Sequence, residues 1–173
     1  METRVRDSSY WRDVGTLDAY WNANMDLTGV DPYFNLYGVK WPIHTNQVLA
    51  PPAKFIFSVE RPEGLRVGKA LDSLVAPGCI VSGIVRNSVL SYNVVVRSWA
   101  MVDESVILDD VVIGRHCKIK KAIIDKHNNI PPGTEIGFNP SEDRKVFTVT
   151  PRGIVVVPKG YFKGHSPSAD AKL

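Results

Sequence analysis

Leu90–Ile136, LSYNVVVRSWAMVDESVILDDVVIGRHCKIKKAIIDKHNNIPPGTEI, decides the fold. Three rows superimpose at an interval of seventeen residues: Ser88-Val89-Leu90, Ser105-Val106-Ile107 and Ala122-Ile123-Ile124. Val96, Ile113 and Ile130 keep the same interval, as do Val102, Ile119 and Ile136. Within a row the apolar anchors stand six apart (Leu90, Val96, Val102; Ile107, Ile113, Ile119; Ile124, Ile130, Ile136), and a step of five opens the next row. A period near six, grouped in threes, is the signature of a parallel β-helix. Each hexad supplies one short strand with one branched side chain turned inward, then a corner. Three strands close a triangular coil, and equivalent positions stack from coil to coil.

Asn93, Asp110, Gly114, Asn128, Gly133 and Gly137 fall between anchors. These residue types accept tight or left-handed backbone most readily. An ordinary meander of short strands is the competing reading, but nine anchors on one template speak against it. In the first coil Leu74, Ile80 and Val85 fit as anchors, with the spacing slipping at Ser82-Gly83. The β-helix is therefore expected over 67–137, as about four coils.

The remaining 173-residue chain sets bounds. A formal net charge of +3 demands neither nucleic acid nor membrane as a partner. The two cysteines, Cys79 and Cys117, lie in the repeats, where Cys79 reads as a small core residue in the row of Val96 and Ile113. There is no disulfide framework, secretory segment or membrane-length apolar run, so cytoplasm is the expected compartment.

Met1–Ser9 is charged and reads as a flexible start. Thr16 is a candidate N-cap for a helix with Leu17, Tyr20, Trp21, Asn24 and Leu27 on one face, stopped by Gly29. Such an aromatic face needs something to lie against. Residues 38–66 form an aromatic- and proline-rich linker in which long helices are excluded, with Phe55-Ile56-Phe57-Ser58-Val59 as a candidate strand. Beyond Gly137 the period is lost. Phe138–Arg144 reads as a polar loop, and Val146–Thr150 and Ile154–Val157 as two strands about Pro151-Arg152-Gly153. Gly164–Leu173 reads as a disordered tail.

Tyr10-Trp11-Arg12-Asp13-Val14-Gly15-Thr16, Tyr20–Leu27, the hexads with Ile123-Ile124-Asp125-Lys126, and Gly153–Lys159 occur in an order that resembles the C-terminal part of bacterial glucose-1-phosphate adenylyltransferase (ADP-glucose pyrophosphorylase). The likeness runs from about Tyr10 to Phe162. It implies a mainly β fold: a left-handed parallel β-helix of hexapeptide repeats, preceded by a short helical remnant (1–37) of an α/β nucleotidyltransferase domain and followed by C-terminal strands and tail (138–173). It implies a homotetrameric parent that makes ADP-glucose from ATP and glucose 1-phosphate for glycogen synthesis. In that parent Asp13 resembles the catalytic aspartate that helps hold Mg²⁺, and Trp11 a wall of the glucose pocket. Lys126 and Lys159 resemble the two lysines that bind phosphorylated effectors.

The family's Gly-rich nucleotide loop is missing: before Asp31 the only glycines are Gly15 and Gly29. Nucleotidyl transfer rests on positioning and on charge stabilisation by amides, cations and Mg²⁺, which one aspartate and a helix do not supply. The chain alone is expected to be an inactive regulatory and oligomerisation region, with no cofactor of its own and with the missing catalytic half as a partner. Some relatives carry an arginine before the paired prolines where this chain has Val48 or Leu49. By residue type alone, Asp13 would pair with Arg12 or cap the Thr16 turn. The basic group Arg115, Lys118, Lys120, Lys121, Lys126, Arg152, Lys159 and Lys163 would be a solvated surface.

Two other classes compete. Hexapeptide proteins include acyltransferases with one catalytic histidine and carbonic anhydrases with three metal-binding histidines. In the seventeen-residue frame His116 aligns with Trp99 and Gly133, and His127 with Asn93 and Asp110. These are different corners, which disfavours a shared metal within one subunit; His44 and His165 lie outside the frame. A purely structural oligomerisation module is the other class, because a short prism has open apolar ends that subunit contacts would cover.

Overall fold

The computed structural model describes residues 10–39, 42–43, 48–56, 59–61 and 64–163, of which 59–61 and 64–66 as backbone. Three parallel sheets enclose a triangular column of about four turns. The first face stacks Lys54–Phe55, Ile80–Val81, Val95–Val96, Val112–Ile113 and Asn129–Ile130. The second stacks Lys69–Leu71, Ile84–Arg86, Met101–Asp103, Lys118–Lys120 and Glu135–Ile136. The third stacks Leu74–Val75, Val89–Leu90, Val106–Ile107, Ala122–Ile124 and Val155–Val157, with Thr148–Val149 antiparallel at its edge.

The anchors pair as their spacing requires: Val96 with Ile113 and Ile130, Val102 with Ile119 and Ile136, Leu90 with Ile107 and Ile124. All nine are at most 1% exposed. The strand period of two then sends Val95 and Val112 outward on the first face.

Most corners turn through one left-handed residue. Asn93, Asp110 and His127 form one row, Trp99 and His116 a second, and Asp72, Asn87, Glu104 and Lys121 a third. Left-handed φ costs about 1–2 kcal/mol for a residue with a Cβ, so the stacked turns impose it on Trp, His, Glu and Lys as well as on Asn and Asp. Of the corner residues expected from composition, Gly114 and Asn128 do not adopt it. At the third row a serine ladder holds neighbouring turns together: the Ser73 hydroxyl accepts the Ser88 amide at 3.1 Å, Ser88 that of Ser105 at 3.0 Å, and Ser105 that of Ala122 at 3.1 Å. Each hydroxyl donates in turn to a carbonyl of its own turn, of Leu71, Arg86 or Asp103.

The first turn corrects the expected anchors. Val75 and Val81, not Leu74 and Ile80, align with Leu90 and Val96; Val85 aligns with Val102 as expected. The cause is a corner shortened by two residues at Ser82-Gly83. Only glycine fits there, since a Cβ on Gly83 would stand 2.3 Å from the Ala100 carbonyl oxygen. Cys79 accordingly sits two places earlier than expected, in line with Val94 rather than Val96. It is buried like Cys117, both thiols are free, and burial raises the pKa of each.

The column also begins upstream of Val67, because Lys54–Phe55 pairs with Ile80–Val81. Between this strand and the second face the chain makes an antiparallel hairpin, Val59–Arg61 with Gly64–Arg66. The candidate strand 55–59 therefore divides between two elements, and its Phe57 and Ser58 lie outside the described residues, as do 1–9, His44 and the tail from Gly164.

Helix α1 (Leu17–Thr28) starts as its cap predicts, with Thr16 Oγ1 accepting the Ala19 amide at 3.1 Å. Its aromatic face lies on the chain's own third face: Tyr20, Trp21 and Met25 pack on Val106, Ile123 and Ile154. Trp21 Nε1 donates to the Glu104 carbonyl at 2.9 Å, and Thr150 Oγ1 donates to Asp18 at 2.5 Å.

After Gly137 the expected polar loop is instead helix α2 (Pro140–Val146), capped by Asn139 and opened by Pro140. A helix of about two turns is too short to carry a readable period. It also takes Val146 from the expected strand, leaving Thr148–Val149. Phe147, Tyr161 and Phe162 contact one another edge-on or tilted, and Phe147 and Phe162 close the upper end of the core. That end is covered by the chain itself.

Candidate functional site: a lysine corner at the top of the column

The corner joining the third face to the first recurs in every turn. Amides of Asn93, Asp110, His127 and Gly160 donate in sequence to the carbonyls of Pro77, Tyr92, Asp109 and Lys126. All four donors are left-handed, with Gly160 at φ 64. Lys126 and Lys159 precede the last two of these corner residues, so they occupy equivalent positions in consecutive turns. One strand spacing, about 4.8 Å, separates such positions. The excursion through α2 and the edge strand hides this equivalence in the sequence.

The two lysines differ in environment. Lys126 Nζ lies 2.8 Å from Asp109 Oδ2, and Ser91 Oγ donates to the other carboxylate oxygen. The hydrogen bond and charge of Asp109 raise the Lys126 pKa. Partial burial pushes the Asp109 carboxyl upward, but its bonds from Lys126 and Ser91 outweigh this and leave it below the ordinary range. Lys159 is exposed, and among the described residues it has no ion-pair partner. Lys163 lays its stem beside Gly160. His127 Nδ1 faces Asp110 at 3.4 Å, and Asn93 Nδ2 donates to the same carboxylate at 3.1 Å.

The other basic residues are not gathered here. Arg115 lies beside the corner between first and second faces, Lys118 and Lys120 are on the second face, and Lys121 is at the corner leading to the third. Lys118 pairs with Glu135 at 2.8 Å. Arg152 stands at the Gly153 turn.

Asp13 and Trp11 lie away from this corner. Asp13 Oδ1 accepts the Gly15 amide at 2.9 Å, bracing the turn into α1, while Arg12 pairs with Asp26 instead. Trp11 is 82% exposed. Among the described residues no three His, Cys, Asp or Glu side chains gather as a metal site. Mg²⁺ wants several oxygen ligands in octahedral array, and one exposed carboxylate already bonded to an amide does not make that site. His116 stacks on Trp99, ring centroids 5.0 Å apart, at a different corner from His127.

Residue-type reasoning passed over Asp109 and took Asn128 for a corner residue. Asp109 stands seventeen before Lys126, hence directly beneath it. Asn128 stands seventeen after Val111, a polar side chain in an inward apolar row, 1% exposed.

The family model described as GlmU-like, C-terminal hexapeptide, matches residues 51–157. The chain belongs to this family. Within the GlmU-like hexapeptide family its curated relatives narrow the likeness. It is 57% identical over 150 residues to the glucose-1-phosphate adenylyltransferase of Methylococcus capsulatus, covering 86% of this chain and 34% of the relative. It is 53% identical over 155 residues to that of an Anaeromyxobacter species (89% and 37%), and 51% over 168 residues to that of Koribacter versatilis (96% and 39%). The chain thus spans little more than a third of these relatives and matches their C-terminal part, as the Trp-Arg-Asp and Asp-Lys motifs imply.

Proposed function

We propose that this chain is the regulatory and assembly region of a glucose-1-phosphate adenylyltransferase, and that Lys126 and Lys159 form its site for a phosphorylated effector. The observation that carries the reading is the stacking of the two lysines on consecutive turns of one corner. Lysines on flexible stems act as point charges for phosphate groups. One of them is paired with Asp109 and the other projects freely, so a multiply charged sugar phosphate can bridge adjacent turns. The names of the relatives, and the match to their C-terminal part, support the choice of enzyme.

Nucleotidyl transfer by the isolated chain is not expected. Asp13 is committed to the Gly15 amide and Trp11 faces solvent, so neither belongs to an assembled pocket. In the whole enzyme, with Mg²⁺ and the nucleotide domain, these two residues would line the sugar and metal site. Assembly through the β-helix, in the cytoplasm, completes the proposal.

Two measurements test it. The purified chain, given ATP, glucose 1-phosphate and Mg²⁺, should release no pyrophosphate above background; turnover at about 1 s⁻¹ or faster would refute the regulatory reading. Calorimetric titration with inorganic phosphate should show binding that Lys159→Ala weakens, and a chain that binds no phosphate refutes the effector site.

A further inference from the structure

Asn128 occupies a position that the other turns give to core side chains. Its row runs Cys79, Val94, Val111, and each is buried. A buried amide is tolerated only when its hydrogen bonds are made. Asn128 makes three: Nδ2 donates to the Asp125 carbonyl at 2.7 Å and the Pro158 carbonyl at 3.0 Å, and Oδ1 accepts the Phe162 amide at 3.0 Å. These partners bracket both lysines, since Asp125 precedes Lys126, and Pro158 and Phe162 flank Lys159.

Below this turn each corner is followed by another strand of the column, which fixes its place. Lys159 has no such support, because the described chain leaves the column at Tyr161–Lys163 in tight turns. The amide of Asn128 does there what the next rung does elsewhere.

Resting on the effector-site reading above, we infer that Asn128 is a positioning residue: it clamps the Pro158–Phe162 loop so that Lys159 stands over Lys126, and anion affinity depends on it although it never touches the anion. A hydrophobic residue of the kind found in the turns below would suit the core and release the loop.

Phosphate titration of the full chain tests this, alongside urea unfolding. Asn128→Val should lower phosphate affinity about tenfold with an unfolding midpoint at or above that of the unaltered chain. Asn128→Ser, which leaves the same bonds unmade without adding bulk, should weaken binding likewise if the valine variant fails to fold. In a double-variant cycle Lys159→Ala and Lys159→Ala/Asn128→Val should bind equally, because a clamp has nothing left to position. Absence of binding by the unaltered chain would overturn the effector site itself. Binding that Lys159→Ala weakens but Asn128→Val and Asn128→Ser leave intact would overturn the clamp alone, as would penalties that add in the cycle.

Discussion

Ile113 and Val112 are neighbours in one two-residue strand, and their exchange for alanine should give sharply different penalties. Ile113 is fully buried between Val96 and Ile130, whereas Val112 points outward and is half-buried. Ile113→Ala removes three carbons, about 2.4 kcal/mol of transfer free energy at about 0.8 kcal/mol per CH₂. The stacked strands above and below cannot collapse into the gap, so a cavity term raises the total to about 3–4 kcal/mol, within the usual range of about 2–5 for such exchanges. Val112→Ala removes two carbons that keep part of their contact with water, and should cost less than about 1 kcal/mol. With an m-value near 2 kcal/mol/M, the urea midpoint followed by circular dichroism should fall by about 1.5–2 M for the first variant and under about 0.5 M for the second. Equal penalties at the two sites would refute the inward and outward assignment on which the column depends.

Three further variants test the same geometry. Asp109→Asn removes the carboxylate that competes for Lys126, and phosphate binding should tighten about two- to fivefold, the value of a partly exposed ion pair; weaker binding would mean that Asp109 organises the site instead. That variant should also lose pH dependence on the acid side. The native Asp109 carboxyl titrates below its unfolded value, so its stabilisation is present above the ordinary carboxylate range and disappears as pH falls. Asp143 has the opposite sign: burial raises its pKa, only partly offset by the amides of Gly137 and Asn139, so native stability declines as pH rises through the carboxylate range, and Asp143→Asn should gain on the unaltered chain between pH 4 and 7 in urea midpoints. A constant difference across that interval would contradict this assignment. Gly83→Ala drives a methyl into the Ala100 carbonyl and should destabilise by about 1–3 kcal/mol, and an unchanged melting temperature would mean the short corner is not where the register places it.

The three upper rows were legible because each anchor is a large branched residue repeated at one interval, and nothing else in the sequence competes with that signal. Val75 and Val81 were not, since Leu74 and Ile80 are equally apolar neighbours. Choosing between them requires knowing that Ser82-Gly83 cuts two residues from a corner. Lys54–Phe55 belongs to the first face through backbone pairing alone, with a charged and an exposed side chain, so no pattern announces it. Helix α2 is too brief to show a period, and its Asn139-Pro140 start also suits a turn. At the candidate site Lys126 and Lys159 were recognised by their flanking motifs. Their stacking depends on the excursion between Gly137 and Ile154, whose return to the third face is a tertiary fact. Asp109 and Asn128 could have been found by extending the seventeen-residue frame to every position rather than to the anchors.

The first turn advances fifteen residues from Val75 to Leu90, while the next advances seventeen from Leu90 to Ile107. A stack of identical storeys could slide by one floor and still match apolar to apolar, which is how uniform repeats lose their alignment. The undersized storey permits no such sliding, because its missing pair of residues fits only beneath the Arg97–Ala100 bend that Gly83 touches. It acts as the notch of a key, fixing the height at which every side chain above it, the two lysines included, comes to rest.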